Sequence, residues 1–310
     1  MWDVWLPLAG GLVLLVLGGE LLVRGAVNVA TALRVSPLVI GLTLVGFGTS
    51  TPELVTSVRA ALADSPGIAY GNIVGSNIAN ILLIGGLAAL LFPIAVARAA
   101  LRRDGAVMLA VAVGFSIVAA LMPLGRVVGS GFLLALVAYI VFTFMIERRN
   151  APPAPADGAK PATGIGLSVL IAIGGLACVI VGGGFLVDGA VSLARGFGIS
   201  ETVIGLTIVA VGTSMPEMVT SVVAALKRQS DVAFGNIIGS NIYNILGIGG
   251  ATALIAPGAV PAEIVSFDNL VMIAVSLVIV GFAWTGMKIV RWEGAALLAG
   301  YVAYVYVIWP

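Results

Sequence analysis

A 46-residue stretch occurs twice in this chain, and the duplication limits the fold more than any other feature. Residues 41–86 read GLTLVGFGTSTPELVTSVRAALADSPGIAYGNIVGSNIANILLIGG. Residues 205–250 read GLTIVAVGTSMPEMVTSVVAALKRQSDVAFGNIIGSNIYNILGIGG, with 30 identical positions at a constant offset of 164 and no gap. A fixed offset means that one structural unit packs twice. The match reaches upstream as well, from GGELLVRGAV at 18–27 to GGGFLVDGAV at 182–191. The unit is therefore half of the chain. Each copy gathers polar residues: Thr49, Ser50, Glu53, Asn72, Ser76, Asn77 and Asn80, then Thr213, Ser214, Glu217, Asn236, Ser240, Asn241 and Asn244.

The chain around these clusters is 60% hydrophobic and 9% charged, with a mean hydropathy of +1.17. A soluble domain carries about 25% charged residues, so this is an integral membrane protein. Ten segments are apolar and long enough to cross a bilayer: 4–33, 36–62, 67–93, 104–123, 126–146, 164–197, 200–226, 231–256, 266–285 and 288–309. The start, MWDVWLPLAGG, carries Asp3 in place of a basic n-region and reads as a retained membrane helix, not a signal peptide. The first and sixth segments run to about 45 Å at helical rise, so they tilt or extend past the core. Residues 147–163, ERRNAPPAPADGAKPAT, form a Pro/Ala-rich linker between halves 1–146 and 164–310.

Basic residues set the orientation. With both termini outside and the 147–163 loop cytoplasmic, twelve of the 15 Lys and Arg fall inside. Five spans per half is an odd number, so the second half enters from the opposite side. The expected fold is an all-α membrane protein of ten helices in two inverted five-helix repeats, with helices 2 and 7 broken. Secondary transporters are built this way, with the substrate between the repeats near the midplane. A prokaryotic inner (plasma) membrane is the expected location. The net charge of +1 offers no basic surface for nucleic acid. The chain has no His, which excludes His-based triads and metal sites, and a single Cys178, read as a packing residue.

The repeated motif carries the chemistry. Pro52 interrupts the second segment beside Gly48, and Pro216 interrupts the seventh beside Gly212. Proline lacks the N–H and crowds the preceding turn, so both helices break there. Carbonyls around Gly46–Gly48 are expected to lose their partners and line a cavity. Asn72, Ser76 and Asn80 fall at i, i+4 and i+8, on one helix face, as do Asn236, Ser240 and Asn244. The slim Gly71 and Gly75, and Gly235 and Gly239, let another helix approach. The donor set is hard oxygen, which suits Ca²⁺ with its six to eight ligands at about 2.3–2.6 Å, and Na⁺, and not soft metals. Membrane carboxylates at a helix centre cost about 2.5–3.5 kcal/mol each on insertion scales, so Glu53 and Glu217 ask for a cation. Ca²⁺ neutralises both; three Na⁺ leave a net positive charge; protonating both also empties the site. No cofactor is needed beyond the transported ions, and no protein partner is evident.

Simpler roles are assigned elsewhere. Asn77 and Asn241 read as glue between helices. Glu20 with Arg24, and Asp188, read as helix-end or pairing residues. Trp2, Trp5, Tyr304 and Trp309 fit an interfacial belt. An intramembrane hydrolase lacks a base for Ser50, a passive channel leaves the inverted repeat unexplained, and a structural protein leaves the paired carboxylates unexplained. The chain is not expected to be an enzyme.

GTSTPE…GNIVGSN and GTSMPE…GNIIGSN resemble the two alpha-repeats of the cation/calcium exchanger superfamily, and the whole chain is similar to its short prokaryotic Na⁺/Ca²⁺ exchangers. The cation/proton branch typically has GNxxE where this chain has GTSxPE. The resemblance implies an antiporter with four linked cation sites between the second, third, seventh and eighth helices. It implies Glu53 and Glu217 as central ligands, with Thr49, Ser50 and Ser76 on one side and Thr213, Ser214 and Ser240 on the other. It adds the carbonyls of Gly46 and Ala210, with Asn80 and Asn244 in the middle, and implies that the first and sixth helices slide as a pair. Among these, Glu53, Glu217, Thr49 and Thr213 are the expected metal ligands. Some relatives have Asp where this chain has Asn244, which leaves the coupling ion open between Na⁺ and H⁺. Ca²⁺ or another divalent cation exchanged for H⁺ is the alternative, and a passive cation channel is the remote one. The 147–163 loop is too short for the cytosolic Ca²⁺-sensing domains of animal exchangers.

Overall fold

The computed structural model describes residues 2–33, 35–64, 66–149, 164–196 and 210–308. In lipid every backbone polar group needs an internal partner, and apolar runs of this length satisfy it as helices. The described chain forms α1 (Trp2–Leu33), α2 (Pro37–Thr49), α3 (Thr51–Leu62), α4 (Pro66–Leu91), α5 (Arg98–Leu121), α6 (Arg126–Arg149) and α7 (Ile165–Gly196). It continues with α8 (Ala210–Thr213), α9 (Met215–Leu226), α10 (Ser230–Ile255), α11 (Ile264–Gly286) and α12 (Arg291–Ile308). Seven of these are long and apolar enough to cross a membrane, and α2 with α3 makes an eighth span bent by 45°. α1 and α7 are each 32 residues long, as expected of the first and sixth segments.

Two boundaries differ from the sequence reading. α5 starts at Arg98, six residues before the expected 104, so Arg98, Arg102 and Arg103 are helical. The reason is an ion pair: Arg103 Nε meets buried Asp104 at 2.7 Å and its Nη1 meets Glu147 at 2.8 Å, which neutralises charge inside the helix packing. α6 runs to Arg149, three residues into the stretch read as linker. Residues 150–163, residues 200–209 of the expected seventh segment, and the Asp188 side chain lie outside the described residues.

The inversion of the halves follows from two loop contacts. β1 (Ile94–Ala95) pairs antiparallel with β2 (Lys288–Ile289), with Ile94 facing Ile289. Leu124 bridges Gly258 through N–H···O bonds of 2.8 and 3.2 Å. These are one contact made twice. Gly258 follows Ile94 by 164 residues and Ile289 follows Leu124 by 165, because the second half has one extra residue in that loop. Ile94 and Leu124 lie at opposite ends of the spanning helix α5. Ile94 and its counterpart Gly258 are therefore on opposite faces of the membrane.

A second repeated contact went unread in the sequence. Tyr139 donates to Asp104 Oδ1 at 3.0 Å, tying α6 to α5, and Tyr304 donates to Asp268 Oδ1 at 2.9 Å, tying α12 to α11. Tyr304, expected in an interfacial belt, thus serves a carboxylate. Phe267 stands where the first half has Arg103, so the second pair lacks that guanidinium. Glu20 pairs with Lys227 of the α9–α10 turn.

α1 and α7 lie against each other through small residues. A Cβ on Gly25 would sit 2.5 Å from Ala172 N, and one on Gly175 would sit 2.4 Å from Leu22 N. Cys178 packs in the same seam, its Cβ 2.8 Å from where Gly18 would carry one. Close backbone approach through small residues is how helices hold together where lipid offers no hydrophobic drive.

Candidate cation site

The two motif copies meet at the centre of the helix bundle. α2 ends at Thr49, Ser50 is the joint, and α3 restarts with Thr51 and Pro52. α8, Ser214 and α9 repeat the break around Pro216. Proline in the first turn of the new helix costs nothing there, because that N–H has no helical acceptor. Gly48 serves the joint by close approach, since a Cβ would lie 2.6 Å from Leu176 Cδ2 of α7. Glu53 and Glu217 therefore sit in the first turns of α3 and α9, where a helix N-terminus favours negative charge.

The carboxylates are bound across the repeats. Ser50 Oγ donates to Glu217 Oε1 at 2.6 Å, and Ser214 Oγ donates to Glu53 Oε1 at 3.0 Å. Both glutamates are 1% exposed. The second oxygen of each, Glu53 Oε2 and Glu217 Oε2, is buried with no hydrogen-bond partner among the described residues. Asn80 and Asn244 are equally buried, and neither the amide oxygen nor the nitrogen of either has a partner there. An unpaired buried polar group costs about 1–3 kcal/mol, and these two glutamates and two asparagines carry six such atoms. Each asparagine opens a π-helical turn, Asn80–Gly85 in α4 and Asn244–Gly249 in α10. Such turns shift the helix phase and are frequent at functional sites.

The remaining expected ligands distribute as follows. Thr49, Ser50, Ser76, Ser214 and Ser240 are buried in α2, α4, α10 and the two joints. Thr213 is half-buried at the end of α8. Gly46 does not lose its partners, contrary to expectation. Its carbonyl accepts from the Ser50 N–H at 3.2 Å, from Thr49 Oγ1 at 3.3 Å and from Ser240 Oγ at 3.4 Å. The proline removes a donor from Gly48, not from Gly46, so the ladder survives two residues earlier. Ala210 opens α8, and its side chain lies outside the described residues. Asn77 and Asn241, read as glue between helices, each donate from Nδ2 to a carbonyl of their own helix, Ile73 and Ile237, at 2.7 Å.

Two serines that the sequence reading passed over belong here. Ser57 and Ser221 are fully buried acceptors for Asn72 and Asn236. They stand four residues after each glutamate in both copies, so the repeat itself marked them.

The family model for "Sodium/calcium exchanger protein" matches residues 4–145 and 167–309, one match in each half. The chain is 37% identical to sodium/calcium exchanger MaX1 of Methanosarcina acetivorans, over 96% of both proteins. It is 38% identical to CaxA of Alkalimonas amylolytica, itself only a proposed antiporter, again over 96% of both. Its fold superimposes on the sodium-calcium exchanger NCX_Mj soaked with 10 mM Na⁺ and zero Ca²⁺, with a TM-score of 0.86 and 32% identity over 97% of each chain. With a matching family model over both halves and relatives aligned end to end, the chain is a multi-pass membrane antiporter, not an enzyme, of the sodium/calcium exchanger protein family.

Proposed function

We propose that this antiporter exchanges Ca²⁺ for Na⁺ by alternating access, with Glu53 and Glu217 as the shared ligands of both ions. The observation that carries this reading is the crossed pair of hydrogen bonds, Ser50 to Glu217 and Ser214 to Glu53, which holds one carboxylate from each repeat in a single buried core. Each glutamate keeps a second oxygen for a cation, and the Asn80 and Asn244 amides supply two more, alongside Thr49, Thr213, Ser76 and Ser240. Hard oxygens with two negative charges suit Ca²⁺ and Na⁺. The Methanosarcina relative bears the name of a sodium/calcium exchanger, which favours Na⁺ as the counter-ion. The halves 1–146 and 164–310 act as the two repeats. Both termini lie outside, the loop between the halves is cytoplasmic, and a relative in Escherichia coli (strain K12) is an inner membrane protein.

Purified protein in vesicles tests this. With Na⁺ inside and Na⁺-free buffer outside at equal pH, radiolabelled Ca²⁺ is taken up. Glu53→Gln and Glu217→Gln each abolish that uptake; uptake that survives either substitution removes that glutamate from the site. Uptake driven by a pH gradient without Na⁺ assigns H⁺ as counter-ion instead, and flux that needs no counter-ion makes the protein a channel.

A further inference from the structure

Asn72 and Asn236 lie outside the ligand set, yet each makes the same two-bond contact within its own repeat. Asn72 Nδ2 donates to the Glu53 carbonyl at 3.1 Å and to Ser57 Oγ at 2.8 Å. Asn236 Nδ2 donates to the Glu217 carbonyl at 3.2 Å and to Ser221 Oγ at 2.8 Å. A backbone carbonyl only accepts, so the amide nitrogen faces the helix in both cases. Both of its hydrogens are used, and the two acceptors are i and i+4 on one turn of α3 or α9. A single bond would leave the neighbouring helix free to pivot and slip. Two bonds from one nitrogen, one turn apart, fix its height along the axis.

That height matters because of what else α4 and α10 carry. Asn72, Ser76 and Asn80 share one face at i, i+4 and i+8, about 6 and 12 Å apart along the axis. Clamping Asn72 to the turn that begins with Glu53 sets the axial position of Ser76 and Asn80 relative to the Glu53 carboxylate. Asn236 does the same for Glu217, Ser240 and Asn244. Slippage by one residue moves a ligand about 1.5 Å, far outside the spread of about 0.2 Å that metal–ligand distances tolerate. The second clamp has an added link: its Oδ1 lies 3.3 Å from Thr49 Oγ1 of the other repeat, whose single hydroxyl hydrogen it shares with the Gly46 carbonyl at the same distance. Asn236 is fully buried, whereas Asn72 is only half-buried.

We infer that Asn72 and Asn236 are positioning residues, each holding its repeat's glutamate in register with the serine and asparagine ligands of the neighbouring helix through Ser57 or Ser221. The inference rests on the proposed cation site. Ion selection then depends on a pair of amides that touch no ion.

The test measures Na⁺-driven Ca²⁺ uptake for Asn72→Ala, Asn236→Ala and Ser57→Ala, together with melting in detergent with and without Ca²⁺. A clamp predicts KM for Ca²⁺ raised about tenfold or more in Asn72→Ala, given two lost hydrogen bonds, with kcat changed less. It predicts a lower ion-free Tm, since both bonds are present without the ion, and beyond that a smaller Ca²⁺-induced rise in Tm, since that rise reports affinity. It also predicts that Asn72→Ala with Ser57→Ala is no worse than Asn72→Ala alone, and that Asn236→Ala is the more severe single change. An unchanged KM for Ca²⁺, or a loss confined to the ion-free Tm with the Ca²⁺-induced shift intact, overturns the inference. If Asn236→Ala fails to fold, the partly buried Asn72→Ala and the Ser57→Ala variant decide it. Glu53→Gln separates the two readings: if it abolishes uptake while Asn72→Ala leaves KM unchanged, only the clamp falls.

Discussion

Ser50 donates its hydroxyl to Glu217 at 2.6 Å, and Ser214 returns the bond to Glu53 at 3.0 Å, so each repeat completes the other's carboxylate. Neither half assembles the site alone. The crossing also forbids independent motion of the two glutamates without breaking a hydrogen bond to a charged group, worth about 1.5–3 kcal/mol.

That energy sets the first prediction. Ser50→Ala and Ser214→Ala each remove one such bond from a buried carboxylate. KM for Ca²⁺ is expected to rise by about 10- to 100-fold in each, measured as concentration-dependent uptake of radiolabelled Ca²⁺ into Na⁺-loaded vesicles. Equal KM in parent and variant would show that the hydroxyls are replaced by the ion when it binds.

The buried amides at 80 and 244 give the second. Asn244→Asp adds a third carboxylate beside two that are already there. Ligand charge tunes Ca²⁺ affinity, so KM for Ca²⁺ is expected to fall. Uptake also becomes more sensitive to acid, because a proton competes for the new group. A titration of initial uptake rate against Ca²⁺ at two pH values reads both effects, and a KM that rises at neutral pH contradicts them.

The α1–α7 seam gives the third. Gly25→Ala and Gly175→Ala each drive a Cβ to about 2.5 Å from partner backbone, with 2.5 Å to Ala172 N and 2.4 Å to Leu22 N. Backbone cannot yield as a side-chain tip does, and overpacking costs about 1–3 kcal/mol. Both variants melt at lower temperature in detergent. Gly174→Ala, with no atom within 4 Å of its Cβ, melts like the parent.

The Arg103 network gives the fourth. Arg103 is the guanidinium for Asp104, whose side chain is fully buried, and for Glu147. Arg103→Ala strands the buried carboxylate at a cost of about 3–5 kcal/mol. Adding Asp104→Asn to that variant removes the stranded charge and restores much of the melting temperature. No recovery in the double variant would mean that the arginine stabilises through its packing alone.

Much of this molecule was legible from one repeat. The offset of 164, the odd number of apolar segments and the distribution of Lys and Arg are properties of the chain in one dimension. They determine inverted halves because lipid allows only helices and each loop has to choose a side. Pro52 and Pro216 determine where two helices break, since a missing N–H acts locally. Glu53, Glu217, Asn80 and Asn244 stood out because burying them in lipid is costly wherever the chain goes.

Partner choice was decided only in three dimensions. Asn72 and Asn77 are five residues apart on the same helix, yet Asn72 clamps α3 while Asn77 turns back to its own Ile73 carbonyl. Gly46 keeps its local bond from the Ser50 amide, but the hydroxyl of Ser240, 194 residues away, reaches the same carbonyl only through packing. Arg103 falls just before the expected segment 104–123, and it is helical because Asp104 and Glu147 neutralise it. Hydropathy and spacing describe a residue's own cost, whereas a hydrogen bond or an ion pair belongs to two residues whose distance only packing decides.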